Sequence, residues 1–454
     1  MPYCSTSART GRQPKTHKTM KYAYLSAIFT LCTILCTPAQ RLHLSQQQCR
    51  DMALAASEDL ESAENRLRQA ELDRKIAATA ALPNLSGSGT AAYMLPDMNM
   101  MGMEMLMHGT YMAGLSLTQP IFTGGKISAA RRLARIGEKA SEEQLRMARM
   151  DVTAEADNAY WTYIAVRSKV KMMERYAAQL DSIYRMTSTT VRAGMATEND
   201  LLRVDAKRSE IDYQLQRTRS GADLCRLSLC RIIGAPADTE IVPTDTIIIA
   251  EKPRSTDADI EMRPEIRLLQ RQIDAQRQQI KMTRADMFPT IGLSLGYTYF
   301  GNIKMRTQID VGNGMMIPYT QELRDGIAVG MLAVKIPIFH WGEARKKVRK
   351  ARYDLRNAEL EMQKNSELIA LQVQQAIRNL TDGYRLTEAA RKAFAQSEEN
   401  LRVMRNRYEA RLSPLTDMLD AESQWQQSLS NLIEAQTQFK IYETEYLRAT
   451  GRLE

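Results

Sequence analysis

Between residues 126 and 191 apolar side chains recur at alternating three- and four-residue intervals. The seam runs Leu145, Ala148, Val152, Ala156, Ala159, Tyr163, Val166, Val170, Met173, Ala177, Leu180, Tyr184, Thr187 and Val191. This is the heptad spacing of long helices in left-handed supercoiled packing. A shift of 217 residues carries the seam onto Met362, Ile369, Val373, Ala376, Leu380, Ala390, Phe394, Leu401, Met404 and Tyr408, diluted by Asn365, Gly383, Thr387 and Ser397. The pattern predicts one helix over about 126–191, ~100 Å long at 1.5 Å per residue, and an equal one 217 residues on. A return helix is predicted over about 198–233, with shorter helices over about 45–80 and 264–286. Two short helices placed end to end match one long helix, so a return helix climbing half-way and the next repeat's first helix can line it together.

A different period governs 84–93, 110–121, 290–300 and 327–338. Ala113, Leu115, Leu117, Gln119 and Ile121 alternate with Met112, Gly114, Ser116 and Thr118, the two-residue period of a strand. Each segment approaches the ~9–11 residues of a tilted transmembrane strand. Tyr93, Tyr111, Phe122, Tyr297, Tyr299, Phe300, Phe339 and Trp341 gather at their ends, as interface belts do. Elsewhere beyond residue 39 nothing is apolar enough for a membrane helix. A sheet in lipid must close to satisfy its backbone, and four strands fall short of the eight of the smallest barrels. Either several copies of the chain close one barrel, or these are soluble hairpins.

The halves share one plan. Gln119-Pro120-Ile121-Phe122-Thr123-Gly124-Gly125 matches Ile336-Pro337-Ile338-Phe339-His340-Trp341-Gly342 at the offset of 217, and Asp200-Leu201-Leu202 matches Asp417-Met418-Leu419. Leu82-Pro83 matches Phe288-Pro289 at 206, so the second copy carries 11 more residues between its prolines. The expected organisation is a leader at 1–39, a first repeat at 40–234, a mid-height linker at 235–262 and a second repeat at 263–454. Glycine and proline, 22 and 14 in 454 residues, are scarce and cluster at hairpins and turns, which leaves the helices unbroken.

Charge alters this little. The formal +9 includes Arg9, Arg12, Lys15, Lys18 and Lys21, and removing those five leaves +4, which argues against a nucleic-acid-binding rod. The five precede an apolar run from Tyr22 to Cys36 and then Thr37-Pro38-Ala39, the plan of a signal peptide cleaved before Gln40, with Met20 as an alternative start. Cys36 makes a weak lipidation site because Leu35 precedes it. Cys49, Cys225 and Cys230 are odd in number and without paired spacing, and read as packing residues.

Together these features make the sequence resemble the TolC-like outer membrane efflux family. The resemblance rests on Leu44-Ser45-Gln46-Gln47-Gln48-Cys49-Arg50-Asp51-Met52-Ala53-Leu54, Leu82-Pro83, Pro120-Ile121-Phe122-Thr123-Gly124-Gly125, Arg263-Pro264-Glu265 and Asp417-Met418-Leu419-Asp420-Ala421, and covers residues 42–452. It implies a mainly α fold with a small β part: duplicated long coiled-coil helices forming a periplasmic α-barrel, and four transmembrane strands per chain closing as a 12-stranded barrel in a homotrimer. It implies a passive outer-membrane channel of a tripartite efflux or type I secretion system, reaching into the periplasm and working with a periplasmic adaptor and an inner-membrane pump. No enzyme activity, cofactor or nucleic acid is implied, and the surrounding partner is outer-membrane lipid. A periplasmic coiled-coil scaffold or adaptor without a channel is the alternative.

Site residues follow from the turns. Those at 193–197 and 410–414 are expected at the periplasmic tip, with Thr197 and Asp200 as an N-cap pair and Ser413-Pro414 as an N-cap and first-turn proline. The resemblance assigns Asp417 and Asp420, on one helix face, to a pore constriction, where six carboxylates around a three-fold axis select cations. It assigns Tyr408 and Asp200 to tip-closing contacts, although the arginine expected nearby is Ser413. Pro120, Gly124, Gly125, Pro337 and Gly342 mark the strand-to-helix transitions. Seven of the 27 methionines lie between Met94 and Met107. Thioethers are soft ligands, which makes Met103, Met105, Met107 and His108 the one place to examine for metal, against the plainer reading of a loop covered by flexible methionine. Gly124-Gly125-Lys126-Ile127-Ser128 lacks the first glycine and the spacing of a phosphate-binding loop.

Overall fold

The computed structural model describes residues 41–100, 103–245, 250–252, 259–312 and 315–453. The leader, its cleavage site and Cys36 lie outside the described residues.

The helix expected over 45–80 is two helices, α1 (Gln46–Ala56) and α2 (Glu58–Thr79). The interruption is chemical: the Ser57 hydroxyl accepts from the Leu60 N–H at 3.2 Å, and Glu58, Asp59 and Glu61 follow in the first turn, where the helix dipole favours acids. This start signal outweighs the continuous apolar pattern. The long helices α3 (Lys126–Arg192) and α6 (Glu343–Glu409) are both 67 residues long. Their return helices α4 (Glu198–Ile232) and α7 (Leu415–Ala449) are both 35. α5 (Pro264–Ala285) has the 22 residues of α2. The boundaries of α3 and α4 recur in α6 and α7 at 217, and those of α2 recur in α5 at 206, so the duplication is kept residue by residue in the rods.

α4 and then α5 pack along α3, and α5 also packs on α6, so two shorter helices do run end to end beside a long one. The buried stripe of α6 follows the seam through Ile369, Val373, Ala376, Leu380, Gly383, Thr387, Ser397 and Leu401. That of α3 widens between Met150 and Ala165. There it meets α1, the end of α4 and a parallel pair of strands, β1 (Arg41–Leu44) and β6 (Glu240–Pro243), the latter inside the segment expected to be a linker. Tyr160, Trp161, Leu229, Cys230 and Ile241 are buried in this mid-height belt.

At the other end β2 (Asn84–Ala92), β5 (Thr110–Phe122), β7 (Thr290–Asp310) and β8 (Met316–Lys335) form one antiparallel sheet in that order. The second hairpin overruns its expected limits of 290–300 and 327–338: its strands have 21 and 20 residues, and β8 stops at Lys335. The additional residues of the second repeat therefore lengthen a hairpin rather than a loop. Over that extension β4 (Met103–Leu106) pairs with β7, and β3 (Met98–Met100) pairs with β4.

In register across the sheet, Leu85, Leu117 and Leu295 share one face with Leu115 and Tyr297, while Ser86, Ser116 and Ser294 share the other. Leu85, Leu115 and Tyr297 are 67%, 58% and 50% exposed, so the apolar face is bare in a single chain. Among the described residues, β2 and, over the extension, β3 form one unpaired edge of the sheet and β8 forms the other.

Candidate tip constriction and its supports

Both tip turns end a long helix in the same way. Gly194 N–H donates to Val191 O at 2.9 Å and Met195 N–H to Thr190 O at 2.9 Å, and in the second repeat Arg411 donates to Tyr408 O and Leu412 to Arg407 O at 2.9 and 2.7 Å. This double bond pattern requires a left-handed residue after the helix. Gly194 supplies it in one repeat; in the other Arg411 takes it at φ 61°.

Beyond the turns the repeats diverge. Thr197 and Asp200 form a reciprocal cap on α4: the Thr197 N–H and hydroxyl donate to Asp200 Oδ2 at 3.2 and 2.7 Å, and Asp200 N–H donates to Thr197 Oγ1 at 3.2 Å. The position matching Thr197 is Pro414, which has neither hydroxyl nor N–H. α7 consequently starts at Leu415 with Pro414 itself at the N-cap, a correction to the expected Ser413 cap, and Ser413 Oγ is buried without a partner. Asp417, the counterpart of Asp200, has no capping hydroxyl three residues before it. Asp417 and Asp420 are both exposed, and the Thr416 hydroxyl lies 3.5 Å from Asp417 Oδ1. Tyr408 is half-buried between the long helices, its hydroxyl 3.3 Å from Thr187 Oγ1.

Behind these acids lies a buried charge that the sequence reading missed. Glu422 is 0% exposed and accepts from Arg405 Nη2 at 3.1 Å. With its amide nitrogen turned toward Glu422, Gln179 donates to Glu422 Oε2 at 3.0 Å and accepts from Arg405 at 2.9 Å. The three residues join α3, α6 and α7. Burial pushes the Glu422 carboxyl above the ordinary carboxylate range, and Arg405 pulls it part of the way back. The available signal was an acid at the third place of the 3-4-3 stripe Leu415, Met418, Glu422, Trp425.

The strand-to-helix transitions are built on backbone requirements. Gly125 and Gly342 hold the left-handed N-cap positions of α3 and α6. Gly124, at φ 63°, is also crowded: a Cβ there would lie 2.7 Å from Ala285 O. Its counterpart Trp341 adopts φ 51° but is 84% exposed, so a side chain fits. Pro120 sits where the β5–β7 register shifts, a place that spares the ladder a missing N–H, and Pro337 follows the end of β8. Lys126 Nζ meets Asp286 Oδ1 at 2.8 Å, joining the two repeats at this level.

The mid-height belt is cross-tied by Asp157, 1% exposed, which accepts two bonds from Arg50 at 2.8 and 2.6 Å and one from Thr444 at 2.8 Å. The Tyr160 hydroxyl reaches Leu44 O and Asp245 Oδ2 at 3.0 and 2.8 Å. Burial, with Asp157 adding to it and Arg50 opposing, pushes the Cys49 thiol up to about 12. Cys49, Cys225 and Cys230 are free. Among the described residues no group of three or more His, Cys, Asp and Glu is placed to hold a metal. His108 is drawn away from the methionines: its Nε2 is 2.7 Å from Asp97 Oδ1 and its ring stacks on Tyr93 with centroids 5.0 Å apart. Met103 and Met105 lie on β4, while the Met107 carbonyl accepts from Met94 N–H at 3.2 Å.

Residues 49–228 and 258–452 match the profile described as outer membrane efflux protein. The pyoverdine export outer membrane protein OpmQ of Pseudomonas aeruginosa is 26% identical over 253 residues, 53% of each chain, so this chain spans about half the length of that relative. The toluene efflux pump outer membrane protein TtgC of Pseudomonas putida is 24% identical over 388 residues, 82% of this chain and 71% of that one. Among solved structures, the CmeC outer membrane channel of Campylobacter jejuni superposes with a TM-score of 0.74 at 18% identity, covering 90% of this chain and 86% of its own. CusC gives 0.73 at 16% identity, covering 92% and 95%. These superpositions identify the fold.

Proposed function

The chain belongs to the outer membrane efflux protein family, and from that premise we propose that it is the outer-membrane exit duct of a tripartite efflux or type I secretion system. Three copies join their β2 and β8 edges into one 12-stranded barrel in the outer membrane, and their helices form a hollow periplasmic barrel. The observation that carries this reading is the bare apolar face of a sheet with two unpaired edges, Leu85, Leu115, Leu295 and Tyr297 standing exposed on it. In water that face is a liability; in lipid it is what a barrel wall needs, provided the edges are closed.

At the opposite end, Asp417 and Asp420 of three chains ring the axis and select cations. Tyr408 and Asp200 hold the tip helices in the closed arrangement, Asp200 through the turn it caps. Met195 and Leu412, equivalent in the two repeats and 61% and 70% exposed, offer apolar contacts to a periplasmic adaptor, which links the duct to its inner-membrane pump. The pore moves cargo passively and performs no covalent chemistry. The test is fractionation: detergent extraction of outer membranes is expected to release a trimer that dissociates on heating. A monomer released into the water phase by osmotic shock would instead support the periplasmic scaffold.

A further inference from the structure

Methionines from three strands and from both repeats share one face at the outer end of the sheet. The register sets Met98 of β3 opposite Met105 of β4, and Met105 opposite Met305 of β7. Directly opposed residues lie on the same face with Cβ atoms about 4.5–5.5 Å apart, and Met103, two residues from Met105, shares that face. The charges take the other face, where Glu104 stands opposite Arg306 with 3.6 Å between them. On the methionine face Met305 is flanked by Ile303 and Thr307 and stands opposite Gln321, all neutral. Met98 and Met103 are exposed, and Met105 and Met305 half-buried, so the row is reachable from solvent.

We propose that Met98, Met103, Met105 and Met305 form a binding site for a soft monovalent cation, Cu(I) or Ag(I). Thioether sulfur is a neutral, soft donor that suits Cu(I) and is indifferent to hard cations. The unbranched methionine side chain has enough rotatable bonds to bring sulfurs from neighbouring strands to one centre. Local composition does not account for the arrangement, because Met305 comes from the other repeat and arrives in register through the β4–β7 pairing. His108 is not part of the site, since Asp97 and Tyr93 occupy it.

The test is anaerobic titration of the full-length protein in detergent with Cu(I), in competition with a chromogenic Cu(I) chelator, and with Ag(I) as a redox-inert second probe. The expected result is about one Cu(I) per chain, displaced by Ag(I) and not by Zn(II). Met98→Leu/Met105→Leu/Met305→Leu, which keeps side-chain volume nearly constant, loses that equivalent, whereas His108→Ala retains it. The single variant Met105→Leu, at the centre of the row, weakens binding on its own. The cysteines also bind soft metals but are unchanged in every variant, so the differences report the methionines. Equal Cu(I) stoichiometry and affinity in wild type, the triple variant and Met105→Leu would overturn the proposal, as would wild-type protein that takes no Cu(I) from the chelator beyond what the cysteines account for.

Discussion

Asp200 and Asp417 occupy the same place in two repeats, yet one is bound by a capping threonine and the other is left to solvent by a proline. A single difference, proline in place of threonine, separates a carboxylate held in a helix cap from one left exposed. Glu422, one turn deeper, is tuned the other way. Its raised pKa means the native protein binds the proton more tightly than the unfolded chain does, so this residue's contribution grows as pH falls and is lost as pH rises through the raised value. Wild type should therefore gain thermal stability relative to Glu422→Gln as pH is lowered from neutrality toward the ordinary carboxylate range. Melting curves of both proteins in detergent across that window check it; a pH-independent difference would contradict the assignment. Gly124 supplies a steric prediction. Gly124→Ala combines a left-handed backbone with a Cβ 2.7 Å from Ala285 O, and should cost about 2 kcal/mol or more in denaturant unfolding. Trp341→Gly, at the equivalent but open position, should cost no comparable amount.

The elements are held to one another by a few buried polar ties laid across apolar seams. Asp157 on α3 binds Arg50 of α1 and Thr444 of α7, and removing it takes from the largely buried Arg50 guanidinium its hydrogen-bonded carboxylate. Asp157→Ala should cost about 3–5 kcal/mol, against at most ~1 kcal/mol for breaking the exposed Arg41–Glu240 pair; unfolding midpoints of the two variants measure the contrast. The rods were legible in the sequence because a heptad seam uninterrupted by glycine or proline has little else to become, and the gapless offset of 217 predicted equal helices. The break at Ser57 was less legible, since a capping serine inside an apolar periodicity declares itself only when the backbone commits. The length of β7 and β8 was hidden for another reason: Ile303, Met305 and Thr307 are stabilised by partners on β4 and β8 that local alternation does not reveal. The β1–β6 pair joins segments about 199 residues apart, and four-residue strands leave no periodic signature. Of the tip, the exposed acids were singled out by the family resemblance, whereas the Gln179–Arg405–Glu422 group needed three helices brought together.

At the scale of the molecule, a chain of long rods ends in a sheet that is apolar on one face and unfinished at both edges. Both features are what the proposed closure with other copies in a bilayer would resolve. In the proposed duct the rods set its length, with Asp417 and Asp420 at its far end. Single-channel recording of the purified protein in a planar lipid bilayer tests this most directly. Discrete, cation-selective conductance steps are predicted, with selectivity lost and current changed in Asp417→Ala/Asp420→Ala. Absence of any conductance from folded protein would contradict the duct, and wild-type current and selectivity in the double variant would contradict the constriction.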